Sequence, residues 1–87
     1  MDNKELYRQA KNKFGVTAQL DVAIEELAEL TKEICKIKRG LGTIGNLAEE
    51  IADVEIMCEQ LRFLFAVDSV VDTWKKTKLN RLAHRVK

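Results

Sequence analysis

The chain has 87 residues, 46% of them apolar and 33% charged, with a formal net charge of +1 at pH 7. That length allows one domain with a modest core, and the composition is that of a folded helical protein, not a disordered one. With no targeting segment and no apolar run of about 18 residues, the sequence points to a cytoplasmic protein that does not enter a membrane.

There is no proline, and the four glycines stand at positions 15, 40, 42 and 45, leaving long stretches without a helix breaker. A first helix is predicted from about Asn3 to Phe14, capped by Asp2 or Asn3 and stopped by Gly15. Thr17 is the predicted cap of a second helix, Ala18 to Arg39, which ends in the glycine-bearing "GLGTIG". Asn46 is the predicted cap of a third, with Glu49 at the capping-box position, running to about Ala66. After the break at "VDS", Asp68 or Ser69 caps a fourth helix that reaches Val86. Short connections between four helices imply an all-α, antiparallel four-helix bundle-like protomer, one domain over residues 1–87. Cys35 and Cys58 are isolated in apolar surroundings without metal-ligand spacing, which predicts buried free thiols in a reducing compartment.

Helix three is apolar on two sides. Leu47, Ile51, Val54, Cys58, Leu61 and Phe65 form one stripe, widened by Met57 and Leu64; Ala52, Ile56, Phe63 and Val67 form another. A helix apolar on two sides is buried on two sides. In so short a chain the second side meets another subunit, so a homodimer or homotetramer joined through helix faces is expected.

Charge is unevenly spread. Ten of the fourteen acids lie between Asp21 and Glu59, and after Asp72 only basic charges remain: Lys75, Lys76, Lys78, Arg81, Arg85 and Lys87. At about 100° per residue, Glu50 falls inside the main apolar stripe of helix three and Asp53 at its edge. Glu26 falls beside Leu30 and Ile37 on helix two, with Glu29 about 60° away, while Glu25 and Glu33 turn toward solvent. Glu26-x-x-Glu29 and Glu50-x-x-Asp53 thus meet across an antiparallel pair, whereas Glu33, Glu55 and Glu59 read as solvated. Four converging carboxylates cannot all stay ionised alone. Arg62 points away from them. A hard cation resolves the repulsion, and Mg²⁺ prefers oxygen ligands and brings phosphate substrates with it. A di-iron site would need Glu-x-x-His on two helices, and His84 is the single histidine.

"EELAE" at 25–29 followed by "EEIAD" at 49–53 resembles the signature of the MazG-like all-α nucleoside triphosphate pyrophosphohydrolases. "GVTAQLDVAIEELAEL", "KIKRG", "ADVEIMCEQL" and "KLNRLAHR" extend the likeness over residues 14 to 85. The resemblance implies Mg²⁺-dependent cleavage of a nucleoside triphosphate to the monophosphate and pyrophosphate, with Mn²⁺ as a substitute ion. It implies Glu26, Glu29, Glu50 and Asp53 as metal ligands. One of these, or the adjoining Glu25 or Glu49, would accept the proton of the attacking water. It further implies phosphate contacts from Lys78 and Arg81, with Lys76 and Asn80 as an alternative register, and a base-proximal role for Gln19.

Within the enzyme class the alternative is a pyrophosphohydrolase for a modified or signalling nucleotide, and two readings of other kinds compete. A non-catalytic helical regulatory module needs no metal. A nucleic-acid binder would need more than one basic helix end with little aromatic interleaving. "GLGTIG" lacks the lysine and hydroxyl of a phosphate-binding loop and reads as a connector. Trp74 is expected in the core or an interface, and His84 at the surface.

Overall fold

A computed structural model describes residues 2–87, which form four helices and no strand: α1 (Asn3–Phe14), α2 (Val16–Lys38), α3 (Ile44–Leu64) and α4 (Asp68–Arg85). Among these residues no helix is long and apolar enough to cross a membrane.

The helix limits follow the sequence closely, but three caps do not. Asp2 caps α1 as expected, accepting from the Glu5 N–H at 2.8 Å, and Gly15 at φ 86° ends it. Gly15 is also the N-terminal boundary of α2, so Thr17 lies inside the first turn and caps nothing. α3 starts two residues before Asn46: the cap is Thr43, whose Oγ1 accepts from the Asn46 N–H at 3.1 Å. Asn46 is therefore a donor to the cap, and the Asn46–Glu49 capping box does not form. Asp68 is the first residue of α4 and Ser69 the second; the preceding Val67 offers no side-chain cap.

Most of the tertiary contact lies between α2 and α3. Their connection is tight. The Leu41 and Gly40 N–H groups donate to Lys36 and Ile37 carbonyls at 2.9 and 3.0 Å, closing α2 with Gly40 at φ 74°. Gly42 then needs its missing side chain for two reasons. Its φ is 70°, and a Cβ there would stand 3.1 Å from Lys36 Cβ. Gly42→Ala is expected to lower the unfolding free energy by about 1–2 kcal/mol, read by urea denaturation.

The residues that α2 turns toward α3 are spaced 4-3-4-3-4: Gln19, Ala23, Glu26, Leu30, Glu33 and Ile37. Those on α3 run Leu47, Glu50, Val54, Met57, Leu61 and Leu64. All twelve are buried or half-buried. This is the interdigitating spacing of an antiparallel helical pair, with carboxylates standing where apolar residues are usual. α1 lies across the pair through Tyr7, which meets Phe63 at a ring-centroid distance of 6.5 Å and donates its hydroxyl to Glu59. That bond, with burial, holds the Tyr7 phenol up at about 12.

α4 is the most loosely packed of the four helices. It touches α3 alone, and sparsely. Ala66, at φ 53°, turns the chain within three residues, and the Arg62 guanidinium ties the new helix by donating to Asp68 and, at 2.6 Å, to Asp72. The radius of gyration is 15.6 Å, where a compact chain of this length has about 12 Å. The chain is thus all-helical, with four helices as expected, its α2–α3 pair most closely packed and α4 held loosely at one side.

Its core is small. Among the described residues, Tyr7, Ala23 and Met57 are the buried apolar ones, while Ile24, Ile44 and Trp74 are 65%, 72% and 53% exposed. Trp74 is thus not a core residue of the protomer. Cys35 and Cys58 are free, as expected, but exposed, contrary to the expectation of burial.

Candidate metal centre

The α2–α3 packing brings three of the four expected ligands together. Carboxylate oxygens of Glu26, Glu50 and Asp53, all half-buried, lie within 4.8 Å of one another. Glu29 is exposed and stands outside this group, yet its charge still acts on both Glu26 and Glu50. It sits at the mouth of the cluster.

The electrostatics are those of a site short of positive charge. Desolvation, then the Asp53 charge and a hydrogen bond with its carboxyl, push the Glu26 carboxyl upward from its ordinary value. Desolvation also raises Glu50, followed by the charges of Asp53, Glu29, Glu49 and Glu33. Glu50 Oε2 is buried without a hydrogen-bond partner. The nearest arginine on α3, Arg62, is committed to Asp68 and Asp72, so it points away as expected.

These features fit a hard divalent cation. Oxygens on one Mg²⁺ stand at most about 4.2 Å apart, so the three carboxylates would draw somewhat closer together on such an ion. An orphaned carboxylate oxygen among mutually repelling neighbours is the donor such an ion takes up.

A pH dependence follows. Folded-state values for Glu26 and Glu50 lie above those of the unfolded chain, so the unfolded state releases these protons first as pH rises. The two groups leave stability intact below the unfolded value of 4.5 and remove it as pH climbs through their folded values. A bound cation cancels that loss. The rise in melting temperature caused by Mn²⁺ is therefore expected to be near zero at pH 4.5 and to grow toward pH 7, as thermal scans with and without the ion would show. A pH-independent rise would place the ion elsewhere.

The remaining site residues are scattered. Glu25 and Glu49 are exposed on the outer sides of their helices. Gln19 is buried, at 7% exposure, two turns along the seam from Glu26, so it is no surface residue. Lys78 and Arg81 are exposed on α4 and line a shallow groove with His84 and Arg85. Because α4 makes no contact with α2, packing within one protomer does not carry them to the carboxylates.

No family model, curated protein or solved structure matches this chain. The geometry must speak for itself.

Sequence reasoning missed Glu33. Expected in solvent, it is 7% exposed, and its Oε2 also lacks a partner. The signal was present: Glu33 follows Glu26 by seven residues and falls about 20° from it on the helix wheel. A cleft lies elsewhere, between α1, the end of α3 and the start of α4, lined by Asn3, Tyr7, Glu59 and Phe63 among others. Its one lining glutamate already accepts from Tyr7, and the aspartate pairs with Arg62. The chemistry gathers in the α2–α3 seam.

Proposed function

We propose that the chain is an Mg²⁺-dependent nucleoside triphosphate pyrophosphohydrolase of the MazG-like all-α type, yielding a nucleoside monophosphate and pyrophosphate. One observation carries the reading: Glu26, Glu50 and Asp53 converge from two helices within 4.8 Å, in a seam whose other members are mostly apolar. Glu26, Glu50 and Asp53 hold the ion, and Glu29 joins them from the mouth. When bound, Mg²⁺ or Mn²⁺ supplies charge neutralisation on the phosphates and acidifies a water for attack at the α-phosphorus. Glu49, adjacent to Glu50 and open to solvent, is the better placed acceptor for the water's proton, with Glu25 the other. Ala23, Leu30, Val54 and Met57 fix the seam and keep bulk water from beneath it. Gln19 lies on the base side.

The working form is a homodimer or homotetramer. Ile24, Leu27, Ile34 and Cys35 make a second stripe on α2, beside the seam; Ile44, Ile51, Cys58 and Phe65, at intervals of seven, make one on α3. On antiparallel helices the two stripes turn to the same side of the hairpin, and all eight residues are exposed. A second copy covers this apolar face. Lys78 and Arg81 then meet the substrate's phosphates from a neighbouring copy.

The apolar face alone would equally suit a non-catalytic interaction module, which needs no ion. The test is an assay of purified protein against a panel of NTPs and dNTPs, with and without Mg²⁺, detecting pyrophosphate. Mg²⁺-dependent release is expected. None, or equal release by the Glu50→Gln, Asp53→Asn double variant, refutes the reading.

A further inference from the structure

We propose that one side of α4, formed by Trp74, Lys78, Arg81 and Arg85, is a docking surface for single-stranded nucleic acid, which sets phosphates on the cations and a base on the indole. The inference goes beyond the hydrolase reading and does not rest on it.

At about 100° per residue the four side chains fall within about 60° of one another. Their intervals of four, three and four residues make a line along α4, an aromatic ring followed by three cations, about 16 Å from end to end. All four are exposed, Trp74 by 53%. Lys78, Arg81 and Arg85 border a shallow groove together with His84.

Nothing within the chain neutralises this line. Among the described residues none of its three cations is paired with a carboxylate. The two acids of α4, Asp68 and Asp72, are held by Arg62, and no acid follows Asp72. The helix dipole accounts for Arg85 in the last turn, but its effect fades within that turn, and Lys78 stands about two turns from the end. Like charges on adjacent turns repel one another. A polyanion removes that repulsion and releases its own counterions as it binds.

Trp74 decides which polyanion fits. An acidic protein segment or an inorganic phosphate chain would engage the cations and leave the ring aside. A duplex keeps its bases stacked and would use the charges alone. A single strand offers an unstacked base to the ring and phosphates to the charges beyond it. The sequence weighs against nucleic acid because aromatics are few, but the one aromatic of α4 stands in line with the charges and open to solvent.

Trp74 is the single tryptophan, so its fluorescence reports the contact directly. Lys78 and Arg81 also serve the substrate in the hydrolase reading, and the test is therefore run in chelator without nucleotide substrate. The intact protein is titrated with an oligothymidylate of about 12 nucleotides and, separately, with inorganic polyphosphate. Saturable quenching by the oligonucleotide alone is expected. Its affinity should fall roughly 20-fold between about 50 and 200 mM salt, as three phosphate contacts on a single strand require. Binding of a labelled oligonucleotide, followed by fluorescence anisotropy, should be at least about fivefold weaker for Trp74→Ala and largely restored in Trp74→Phe. Arg85→Gln should weaken binding and flatten the salt dependence. Absence of quenching, equal quenching by polyphosphate, or unchanged binding by Trp74→Ala overturns the proposal. Should Trp74→Ala fail to fold, unchanged binding by Arg85→Gln overturns it instead. A protein that binds the strand but releases no pyrophosphate would lose the hydrolase reading and keep this surface; release without quenching would do the opposite.

Discussion

Glu50→Gln is expected to abolish pyrophosphate release and, at the same time, to raise the melting temperature of the cation-free protein at pH 7. The two effects have one cause. Glu50 occupies a seam position between Leu47 and Val54 where an apolar or neutral side chain would pack without penalty. Its charge is opposed by desolvation and by Asp53, Glu29, Glu49 and Glu33. An amide of the same shape removes the repulsion but is a poor ligand for a hard cation. Since loss of a group that merely orients a metal ligand lowers affinity or activity by about 10- to 100-fold, loss of a proposed ligand itself is expected to cost at least about 100-fold. Thermal scans in chelator and a pyrophosphate assay check the two halves. Glu55→Gln, on the exposed side of α3, is the control and is expected to change neither. A variant that is both inactive and less stable without cation would mean that Glu50 serves the fold, and the site would lose its main support.

The same residue shows how far the sequence could be read. The helices were legible because breakers fall only between them, and Glu50 was legible because it interrupts an apolar stripe. The caps were less so. Asn46 and Glu49 satisfy a capping pattern as well as Thr43 does, and the choice is made by where the chain leaves the turn at Gly40 and Gly42. Glu33 was misplaced because the seam was judged from its apolar members, whose centre lies away from it; the full 4-3-4 spacing includes it. The position of α4 was not legible at all. Short connections suggest antiparallel neighbours, but a three-residue turn with Ala66 at positive φ and the Arg62 clamp send the helix off the pair.

Placing a charge on the open face of the hairpin, as in Ile51→Glu, is expected to dissociate the protein and remove much of its helical circular dichroism. Little apolar surface is buried within one chain. Its buried apolar residues are Tyr7, Ala23 and Met57, whereas Ile24, Leu27, Ile34, Ile44, Ile51 and Phe65 are 41–72% exposed. Burying the exposed half of each such side chain is worth roughly 1–2 kcal/mol. Together they rival the whole stability of a small domain, about 5–15 kcal/mol, so in the proposed assembly folding and association would be one event. A glutamate at 51 must either be buried unpaired or keep the copies apart. Light scattering should find a dimer or larger for the unaltered protein, and monomer or unfolded chain for Ile51→Glu. Val86→Glu, 74% exposed at the end of α4 and off this face, is expected to leave the assembly intact. The cysteines add an independent reading, because Cys35 and Cys58 lie on the same face. Their thiols should react slowly with an aromatic disulfide reagent in the assembled protein and rapidly in Ile51→Glu, which reconciles their exposure in one chain with their apolar surroundings in the sequence. A monodisperse, fully helical monomer at micromolar concentration would refute the covered face, and with it the route by which Lys78 and Arg81 reach a neighbour's carboxylates.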